Sequence, residues 1–444
     1  MLIGGINWIR TNGQSFAGFC LTNLAMMPLT NSKYTTIIYN CQLILEKMRG
    51  ANFMENKFLI SLPYIYPVCP ISIDHARMFV VADINARMQR KKGKEVCFPI
   101  AAHFSGVTAE KACELLNKKI SKDEEGYTEK EKMYNIFLKV YQTPDSIIRA
   151  FKTPEDILNY YSYQTIWNLK EINVSCDYEN FYTTNTEEFE TFVKVMFEFY
   201  EKHKILILNS KNELALNYDD EEWKEKTLEN FKKIDFIQSF HKPNFIGAFD
   251  NIRSDWGLLR EYGMGIKYNE KYIIDPMFDS ELFTLFDLYM KFRKDNENKN
   301  VYDIFEKVFE KLNKDEIEEN NDLPSKIVNW MGTDLFVCEE HLKTWVVKKT
   351  YAETLLLKPR YHTKKYFITG MGSINHQRMS SSRGTAVLLK DMIENYGNHN
   401  ARLIILMTGG HPSKLYNYDV NLPKTVMYMT KNFKEYINFL NSIY

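Results

Sequence analysis

The stretch FLISLPYIYPVCPISIDHARMFVVADINARMQRKKG, residues 58–93, decides the fold class that the sequence predicts. Lys57 to Leu62 is a short apolar run that ends at prolines, which favours a buried strand. A helix is expected from Ile73, because the apolar residues beyond it recur at helical spacing. These residues are Ala76, Phe79, Val80 and Ile84.

A second apolar run, Lys94 to Ala101, predicts a second strand directly after this helix. A strand, a helix and a strand in close succession form a βαβ unit, so we expect an α/β fold with a parallel sheet. The same alternation of strand and helix is predicted again late in the chain. There the sequence predicts a strand at 366–370, a helix at 385–397 and a buried strand at 401–408.

Between these two regions, residues 109–235 are rich in Glu, Lys, Tyr and Phe at helical spacing. They predict a helical insertion between two halves of the sheet, and 424–444 predicts one amphipathic C-terminal helix. Residues 1–53 are interpreted as an extension from a start codon placed too far upstream, with translation from Met54. The alternative, a signal-peptide core at 16–29, is interrupted by polar residues.

The composition narrows the class of protein. Lys and Arg number 57, as do Asp and Glu, so no global field attracts a polyanion and any such site must be a local patch. The seven cysteines are scattered without a Cys-x-x-Cys pair, which favours reduced thiols in a cytoplasmic protein and argues against structural zinc. No apolar run reaches the ~20 residues of a membrane span, so no membrane partner is expected.

Two places in the sequence suit phosphate. The helix that starts near Ile73 offers free backbone N–H groups and a partial positive charge, and His75 adds a donor there. A histidine at a helix start is more often structural, and Asp74 beside it is a good N-cap residue. The second place is a loop with three serines between Arg378 and Arg383, whose guanidinium groups could neutralise phosphate oxygens. Alone, that loop is more typical of a solvated turn.

Together these segments resemble the class I aminoacyl-tRNA synthetases, in particular the leucyl enzyme of archaeal and eukaryotic type. PYIYPVCPISIDHAR (63–77) resembles the family's Pro-Tyr-Pro-Tyr segment with its His-x-Gly-His motif, and ADINARMQRKKGKEVCFPIAAHFSG (82–106) resembles the helix, strand and Trp-His-x-Thr-Gly element that follow. INVSCDYENFYTTN (172–185) resembles the Ile-Asp-Trp-Arg-Arg-x-Phe-Thr-Thr segment. RSDWGLLREYGMGIKYNEKYIIDPMFDSELF (253–283) resembles the stretch ending in Ser-Asp-Ser-Thr, and RMSSSRG (378–384) resembles the Lys-Met-Ser-Lys-Ser loop.

The resemblance implies a split Rossmann-type nucleotide-binding sheet on which leucine, or a similar apolar amino acid, is activated with ATP and its Mg²⁺ to an adenylate. The family's catalytic positions, which stabilise charge on the leaving pyrophosphate, correspond to His75, Arg378, Ser380, Ser382 and Arg383. Its ATP-binding positions correspond to Ser72, Asp74, His75 and Met379. Its amino-acid pocket corresponds to Tyr64, Tyr66, His103, Asp279 and Ser280.

Four departures from the family's pattern bear on ATP. Ser72 replaces the first histidine of the first motif, Asp74 replaces its glycine, and Ser381 replaces the second lysine of the loop. The segment 338–342, Cys-Glu-Glu-His-Leu, stands where a ribose-contacting Ser-Gly-Lys-Asp-Leu is expected. A carboxylate about 4 Å from a phosphate charge costs ~1–4 kcal/mol, so slow activation is expected.

The resemblance also predicts the domain organisation. Residues 54–108 and 251–410 correspond to the two halves of the catalytic domain, 109–250 to a helical connective insertion, and 411–444 to a stub of the stem-contact region. Within the insertion, only 216–235 stands where leucyl enzymes carry an editing domain. We interpret the chain as a truncated paralogue with degenerate motifs, which does not proofread and binds tRNA poorly.

Three functions stay open from the sequence. The first is a catalytic core that activates an apolar amino acid for transfer to tRNA, a carrier protein or a small molecule. The second is an ATP-independent enzyme that accepts an aminoacyl group from charged tRNA, as cyclodipeptide synthases do. The third is a non-catalytic relative that binds an amino acid or a tRNA acceptor end. The pocket positions match the family better than the ATP positions, which argues against the third and suits both others.

Overall fold

The structure is a computed structural model that describes residues 57–120, 125–236, 242–296, 300–314, 322–374, 376–379, 385–408 and 415–443. The interpreted extension, 1–53, lies outside these described residues. So do the loop positions Ser380, Ser381, Ser382 and Arg383.

The strands of the described chain are short. In chain order they are β1 (Lys57–Ser61), β2 (Glu95–Cys97), β3 (Ala101–Ala102), β4 (Tyr182–Thr183), β5 (Leu206–Leu208), β6 (Leu214–Leu216), β7 (Asp235–Phe236), β8 (Leu259–Arg260), β9 (Ile273–Ile274), β10 (Asp334–Cys338), β11 (Lys365–Thr369), β12 (Gly372–Ile374), β13 (Gln377–Arg378) and β14 (Tyr416–Asn417). The central sheet has five parallel strands in the order β2-β1-β10-β11-β7.

Helices make up most of the remainder. They are α1 (Ile73–Lys91), α2 (Thr108–Asn117), α3 (Tyr127–Asn135), α4 (Asp145–Ala150), α5 (Pro154–Glu171), α6 (Glu187–Lys202), α7 (Glu221–Lys233), α8 (Lys242–Phe249), α9 (Pro276–Asp279), α10 (Phe283–Phe292), α11 (Val301–Leu312), α12 (Leu323–Val328), α13 (Trp345–Leu356), α14 (Leu389–Tyr396), α15 (Asn398–Met407) and α16 (Leu422–Ile443). None of these described helices is long and apolar enough to cross a lipid bilayer.

The predicted α/β class with a parallel sheet is confirmed. β1, α1 and β2 form the expected βαβ unit, and β1 also pairs in parallel with β10 from the late part of the chain. The expected strand at 366–370 is β11, and the expected C-terminal helix is α16. Two distant stretches of sequence therefore meet in one sheet, as the split arrangement requires.

The sheet separates two hydrophobic layers. Side chains along a strand alternate between faces, so Leu335 and Val337 of β10 join one core cluster and Phe336 joins the other. Phe336 stacks on Phe367 of β11 with ring centroids 4.2 Å apart. Helices α6, α10, α11 and α13 cover the first face, and α1 and α15 cover the second. Because helices cover both faces of the sheet, a ligand site can form only at the edge where the strands end.

The strands expected at 94–101 and at 401–408 need correction. The single strand expected at 94–101 is broken into β2, which pairs with β1, and β3, which pairs with β4. Pro99 lies in the break, and proline has no N–H to give a sheet ladder. Asp235 and Phe236 form β7, which pairs with β11 in the central sheet. Asp235 belongs to the segment that the sequence predicts as an insertion.

The buried strand expected at 401–408 is wrong, because these residues form helix α15. A short apolar run cannot be assigned to strand or helix from its sequence alone. Here Gly397 has a φ of +78° and starts the helix, and Ile404 and Ile405 are buried against the second hydrophobic layer. Arg402 also reaches the buried Asp83 of α1, an ion pair that fixes α15 on α1.

Candidate functional site

A cleft opens where the strands β1 and β10 end, next to the start of α1. We call it the helix-start cleft, and it is lined by residues from three segments of the chain: Ser72, Asp74, His75, Cys338, Glu340 and Arg378. Backbone hydrogen bonds hold two of these segments together. Ile73 N–H donates to Val387 O at 2.9 Å, and Leu389 N–H donates to Ile71 O at 2.9 Å. The predicted phosphate-binding helix start and the segment after the serine loop are therefore neighbours.

The interpretation of Asp74 as the N-cap is wrong. Ser72 is the N-cap residue, with extended backbone angles and no side-chain hydrogen bond to the helix backbone. Its Oγ lies 3.1 Å from His75 Nδ1 instead. Asp74 is the second residue of α1, and its carboxylate accepts a hydrogen bond from the Tyr416 hydroxyl. Burial, together with the charge of Asp74, raises the pKa of Tyr416, which keeps this hydroxyl protonated.

The carboxylate of Asp74 lies in a crowded place. A Cβ added to Gly372 of β12 would lie 2.5 Å from Asp74 Oδ1, 2.6 Å from Met379 Cε and 2.6 Å from Tyr416 Cζ. These three side chains converge on the glycine, so no larger residue fits there without movement. Tyr416 thus holds Asp74 against the wall formed by β12 and β14, and the space beside His75 stays open.

The charges of the helix-start cleft are mixed. Arg378 Nη2 lies 2.5 Å from Glu340 Oε2, with 58% and 41% of the two side chains exposed. The predicted loop cation Arg378 is therefore paired, and the described lining also carries the carboxylate of Asp74. The positive end of α1 and His75 fit a phosphate group, while Asp74 and Glu340 oppose it. The cleft therefore has only part of the positive potential that the resemblance predicts.

A second group of residues lies on the other side of the β1 end. We call it the tyrosine pocket, and it comprises Tyr64, His103, Tyr182, Asp279 and Phe283. The hydroxyls of Tyr64 and Tyr182 lie 2.7 Å apart, and Tyr182 donates to Asp287 Oδ1 at 2.8 Å. Burial raises the pKa of Asp287 to about 8, so this carboxyl is protonated at neutral pH.

His103 and Asp279 form the polar side of the tyrosine pocket. His103 Nε2 lies 2.8 Å from Asp279 Oδ1, and the carboxyl is 1% exposed. Burial raises the pKa of Asp279, and the adjacent imidazole opposes that shift. The ring of His103 lies 5.5 Å from that of Tyr64. A fixed carboxyl beside aromatic rings is suited to an ammonium group that carries an apolar side chain.

The wall of this pocket continues to α13. Ser280 Oγ accepts a hydrogen bond from Trp345 Nε1 at 3.1 Å and donates to Pro276 O at 2.8 Å. Phe283 packs against both Tyr64 and Trp345, with ring centroids 5.1 and 5.6 Å away. Trp345 thereby joins the predicted positions Tyr64 and Ser280 into one surface.

Tyr66 is placed apart from the other predicted pocket residues. Its hydroxyl accepts a hydrogen bond from Thr108 N–H at 3.2 Å and packs on Gly106, while its ring contacts the small cluster under α2. Met379 is buried and packs in the second hydrophobic layer beside Gly372. The structure therefore brings together Tyr64, His103, Asp279 and Ser280 on one side, and Ser72, Asp74, His75 and Arg378 on the other.

Three residues of the site were missed in the sequence, namely Tyr182, Asp287 and Trp345. Asp287 left a signal, as a single acid inside the apolar segment FTLFDLYMKF, residues 283–292. Tyr182 lies within the segment 172–185 that supported the resemblance but carried no assigned role. Among the described residues, no cluster of three acidic, histidine or cysteine side chains could hold a metal ion.

Part of the chain is similar in sequence to known leucine--tRNA ligases. The chain is 31% identical over 140 residues to the leucine--tRNA ligase of Archaeoglobus fulgidus, across 32% of this chain and 14% of that protein. It is 30% identical over 139 residues to leucine--tRNA ligase 2 of Sulfurisphaera tokodaii, across 31% of this chain and 14% of the relative. The matched region thus spans about a seventh of the length of these relatives. No family model matches the chain.

The fold is that of a solved synthetase. Mycobacterium tuberculosis methionyl-tRNA synthetase, in complex with methionyl-adenylate, superposes with a TM-score of 0.56 over 84% of this chain and 68% of that one. The two sequences are 11% identical, so this likeness shows a shared fold and nothing finer.

Proposed function

Because this chain is a relative of the class I aminoacyl-tRNA synthetases, we propose that it binds leucine or a similar apolar amino acid and activates its carboxylate with ATP. The observation that carries the proposal is the His103–Asp279 pair, held at 2.8 Å within the aromatic wall of the tyrosine pocket. Asp279 gives the α-ammonium group a negative partner, and Tyr64 and Phe283 give the side chain apolar contact.

The helix-start cleft supplies the second half of the proposal. ATP, with its Mg²⁺, would supply the adenylyl group that the carboxylate takes up at the α-phosphate, with pyrophosphate as the leaving group. The N-terminus of α1 and the imidazole of His75 would hold phosphate oxygens. Asp74 and Glu340 weaken that hold, so we expect the reaction to need a high ATP concentration and to be slow.

Pyrophosphate exchange against each of the twenty amino acids tests activation. We expect exchange with leucine or another apolar amino acid, and its loss in His75→Ala, because the substitution removes the donor at the helix start. Tyr66→Phe is the matched control, since Tyr66 contacts Thr108 and lies outside both parts of the site. Exchange that persists in His75→Ala would contradict the assigned role.

A second function is favoured by the Arg378–Glu340 pair, which neutralises the predicted loop cation. In that case the protein accepts an aminoacyl group that is already activated, from the acceptor end of a charged tRNA. Absent pyrophosphate exchange together with transfer from leucyl-tRNA would support this function over the first. Saturable leucine binding with neither reaction would indicate a non-catalytic binding protein.

The acceptor of an activated amino acid is a separate part of the proposal. A tRNA acceptor end, a carrier protein or a small molecule can each take an acyl group from an adenylate. Radiolabelled leucine and ATP incubated with total tRNA test the first of these directly. Label in acid-precipitable RNA would support tRNA, and soluble adenylate without labelled RNA would point to another acceptor.

A further inference from the structure

His341 lies at the boundary between the two parts of the site. It belongs to the short 3₁₀ turn Glu339–Lys343 that directly follows β10. Cys338, directly before this turn, and Glu340, within it, line the helix-start cleft. Four residues further on, Trp345 donates to Ser280 in the wall of the tyrosine pocket. The turn therefore connects the place proposed for the nucleotide with the place proposed for the amino acid.

The orientation of the His341 ring is fixed by the backbone. Cys338 N–H donates to His341 Nδ1 at 3.1 Å, and the ring packs against Trp345 with centroids 6.2 Å apart. A ring nitrogen that accepts a hydrogen bond carries no proton, so the neutral imidazole carries its proton on Nε2. His341 thus presents an N–H donor at a fixed position.

The imidazole also stays neutral across the working pH range. Burial lowers the pKa of His341 to about 4, and the neighbouring Glu340 carboxylate opposes that shift. Among the described residues, no hydrogen bond or ion pair is made at His341 Nε2, whereas Nδ1 has its partner. A partly buried donor of this kind is stabilised when a ligand supplies the acceptor.

We propose that His341 is a further binding residue of this site, and that its Nε2–H donates a hydrogen bond to the carboxylate of the bound amino acid. The assignment rests on the proposed function and names the group that orients the reacting carboxylate. The His341 turn joins the cleft, through Cys338 and Glu340, to the pocket wall, through Trp345 and Ser280. A leucine with its ammonium group at Asp279 and its carboxylate directed toward phosphate at the start of α1 would therefore bring that carboxylate to this turn. A neutral donor suits this position, because it binds an anionic oxygen without neutralising the nucleophile.

The position also departs from the family's pattern in an informative way. His341 stands where the resembled Ser-Gly-Lys-Asp-Leu segment has an acid, which accepts hydrogen bonds. The imidazole donates instead. The chain therefore carries a hydrogen-bond donor where the resembled segment carries an acceptor.

Two ligands and two variants test this role. L-leucine and leucinol share the side chain and the ammonium group, but leucinol has no carboxylate. The variant His341→Asn keeps an acceptor near the place of Nδ1 and loses the Nε2 donor, whereas His341→Gln keeps a donor near the place of Nε2. Calorimetric titration of the full chain with each ligand gives the dissociation constants.

We expect His341→Asn to weaken leucine binding about tenfold or more, to leave leucinol binding unchanged, and His341→Gln to stay within about threefold of the wild type. Equal weakening of both ligands in His341→Asn would show a structural role and overturn the inference. Unchanged leucine binding in His341→Asn would also overturn it. If the wild-type protein binds neither ligand, the proposed function itself fails, a result distinct from both of these.

NMR of the imidazole nitrogens gives a second readout that does not depend on a variant. Addition of L-leucine is expected to shift the Nε2 signals of both His103 and His341. Leucinol is expected to shift only that of His103, since its ammonium group still meets the His103–Asp279 pair. A His341 signal that responds equally to the two ligands would contradict contact with the carboxylate.

Discussion

The tyrosine pocket and the helix-start cleft lie side by side at the same sheet edge, yet they differ in burial and in charge. In the tyrosine pocket the polar groups are buried and paired, as in the 2.8 Å contacts of His103 with Asp279 and of Tyr182 with Asp287. In the helix-start cleft the Arg378–Glu340 pair is half exposed, and Asp74 adds a second carboxylate. If the proposed function holds, the amino-acid part of the site is therefore more fixed and more buried than the nucleotide part.

The largest expected effect is on ligand binding in the tyrosine pocket, and it tests whether this pocket is the better-defined part of the site. In His103→Ala the buried Asp279 loses its partner and takes up a proton, so it no longer attracts an ammonium group. We expect leucine binding to weaken by on the order of 100-fold, equivalent to ~3 kcal/mol. Calorimetric titration measures this, with Tyr66→Phe as the control that should bind normally. Normal binding by His103→Ala would remove the basis for calling this a ligand pocket.

The next effect concerns the pH dependence of folding. Burial raises the pKa of Asp287 to about 8, from the value of 3.8 that is usual for an aspartate. Between these two values the unfolded chain releases the proton and the folded chain retains it, so stability falls as the pH rises. We expect Asp287→Asn to remove about 2 kcal/mol of the decline in unfolding free energy between pH 5 and pH 7.

Urea unfolding at pH 5, 6 and 7 measures this slope for the wild type and the variant. The slope of the wild type also contains Glu281 and Asp334, whose pKa values burial raises to about 8 and about 7. The difference between the two proteins therefore isolates Asp287. Parallel curves for wild type and variant would show that this carboxyl is already ionised, and the buried character assigned to the pocket would be wrong.

Removal of the Asp74 carboxylate tests whether negative charge limits nucleotide binding in the helix-start cleft. We expect Asp74→Gly to tighten the binding of MgATP about tenfold, or ~1.4 kcal/mol, because a negative charge leaves the phosphate site. Asp74→Asn keeps the volume and removes the charge, so it separates electrostatics from room. Equal gains in the two variants would assign the effect to charge, and a gain only in the glycine variant would assign it to space. No gain in either would contradict a nucleotide in this cleft.

The smallest effect is expected at the exposed ion pair. Glu340→Gln releases the guanidinium group of Arg378 for phosphate, and should tighten MgATP binding about two- to fivefold, or ~0.5–1 kcal/mol. The gain should shrink at high salt, because both side chains are solvated. Binding at low and high ionic strength, measured by fluorescence titration, checks this expectation. An effect as large as that of Asp74→Gly would show that this ion pair is less screened by solvent than the exposed fractions of its two side chains indicate.

Much of the fold could be predicted from local patterns. The βαβ unit at 57–97 and the strand β11 follow from short apolar runs, turn residues and helical spacing, which are properties of a few neighbouring residues. The strand expected at 401–408 failed because an apolar run of that length suits either structure, and only packing on α1 through Arg402 and Asp83 decides between them.

The candidate site was predictable in part, for the same reason. His75 and His103 lie in segments that resemble a known family, so the sequence could assign them roles that stay predictions. His341 and Asp287 could not be found in this way, because their roles depend on partners far along the chain or on backbone geometry. Nothing near Asp74 in the sequence indicates that Tyr416 accommodates its carboxylate.

The sequence by itself determined the class of fold, the two segments that meet at the sheet edge, and the identity of the residues that replace the family's glycine and lysine. These three properties depend on residue type and spacing, which can be read directly from the sequence. Only the tertiary structure decided that Asp279 is paired and buried, that Arg378 is already occupied by Glu340, and that His341 presents a donor between the two parts of the site. Such pairings join residues that are distant in sequence. The burial of a side chain and the charges around it are therefore set only when the chain folds.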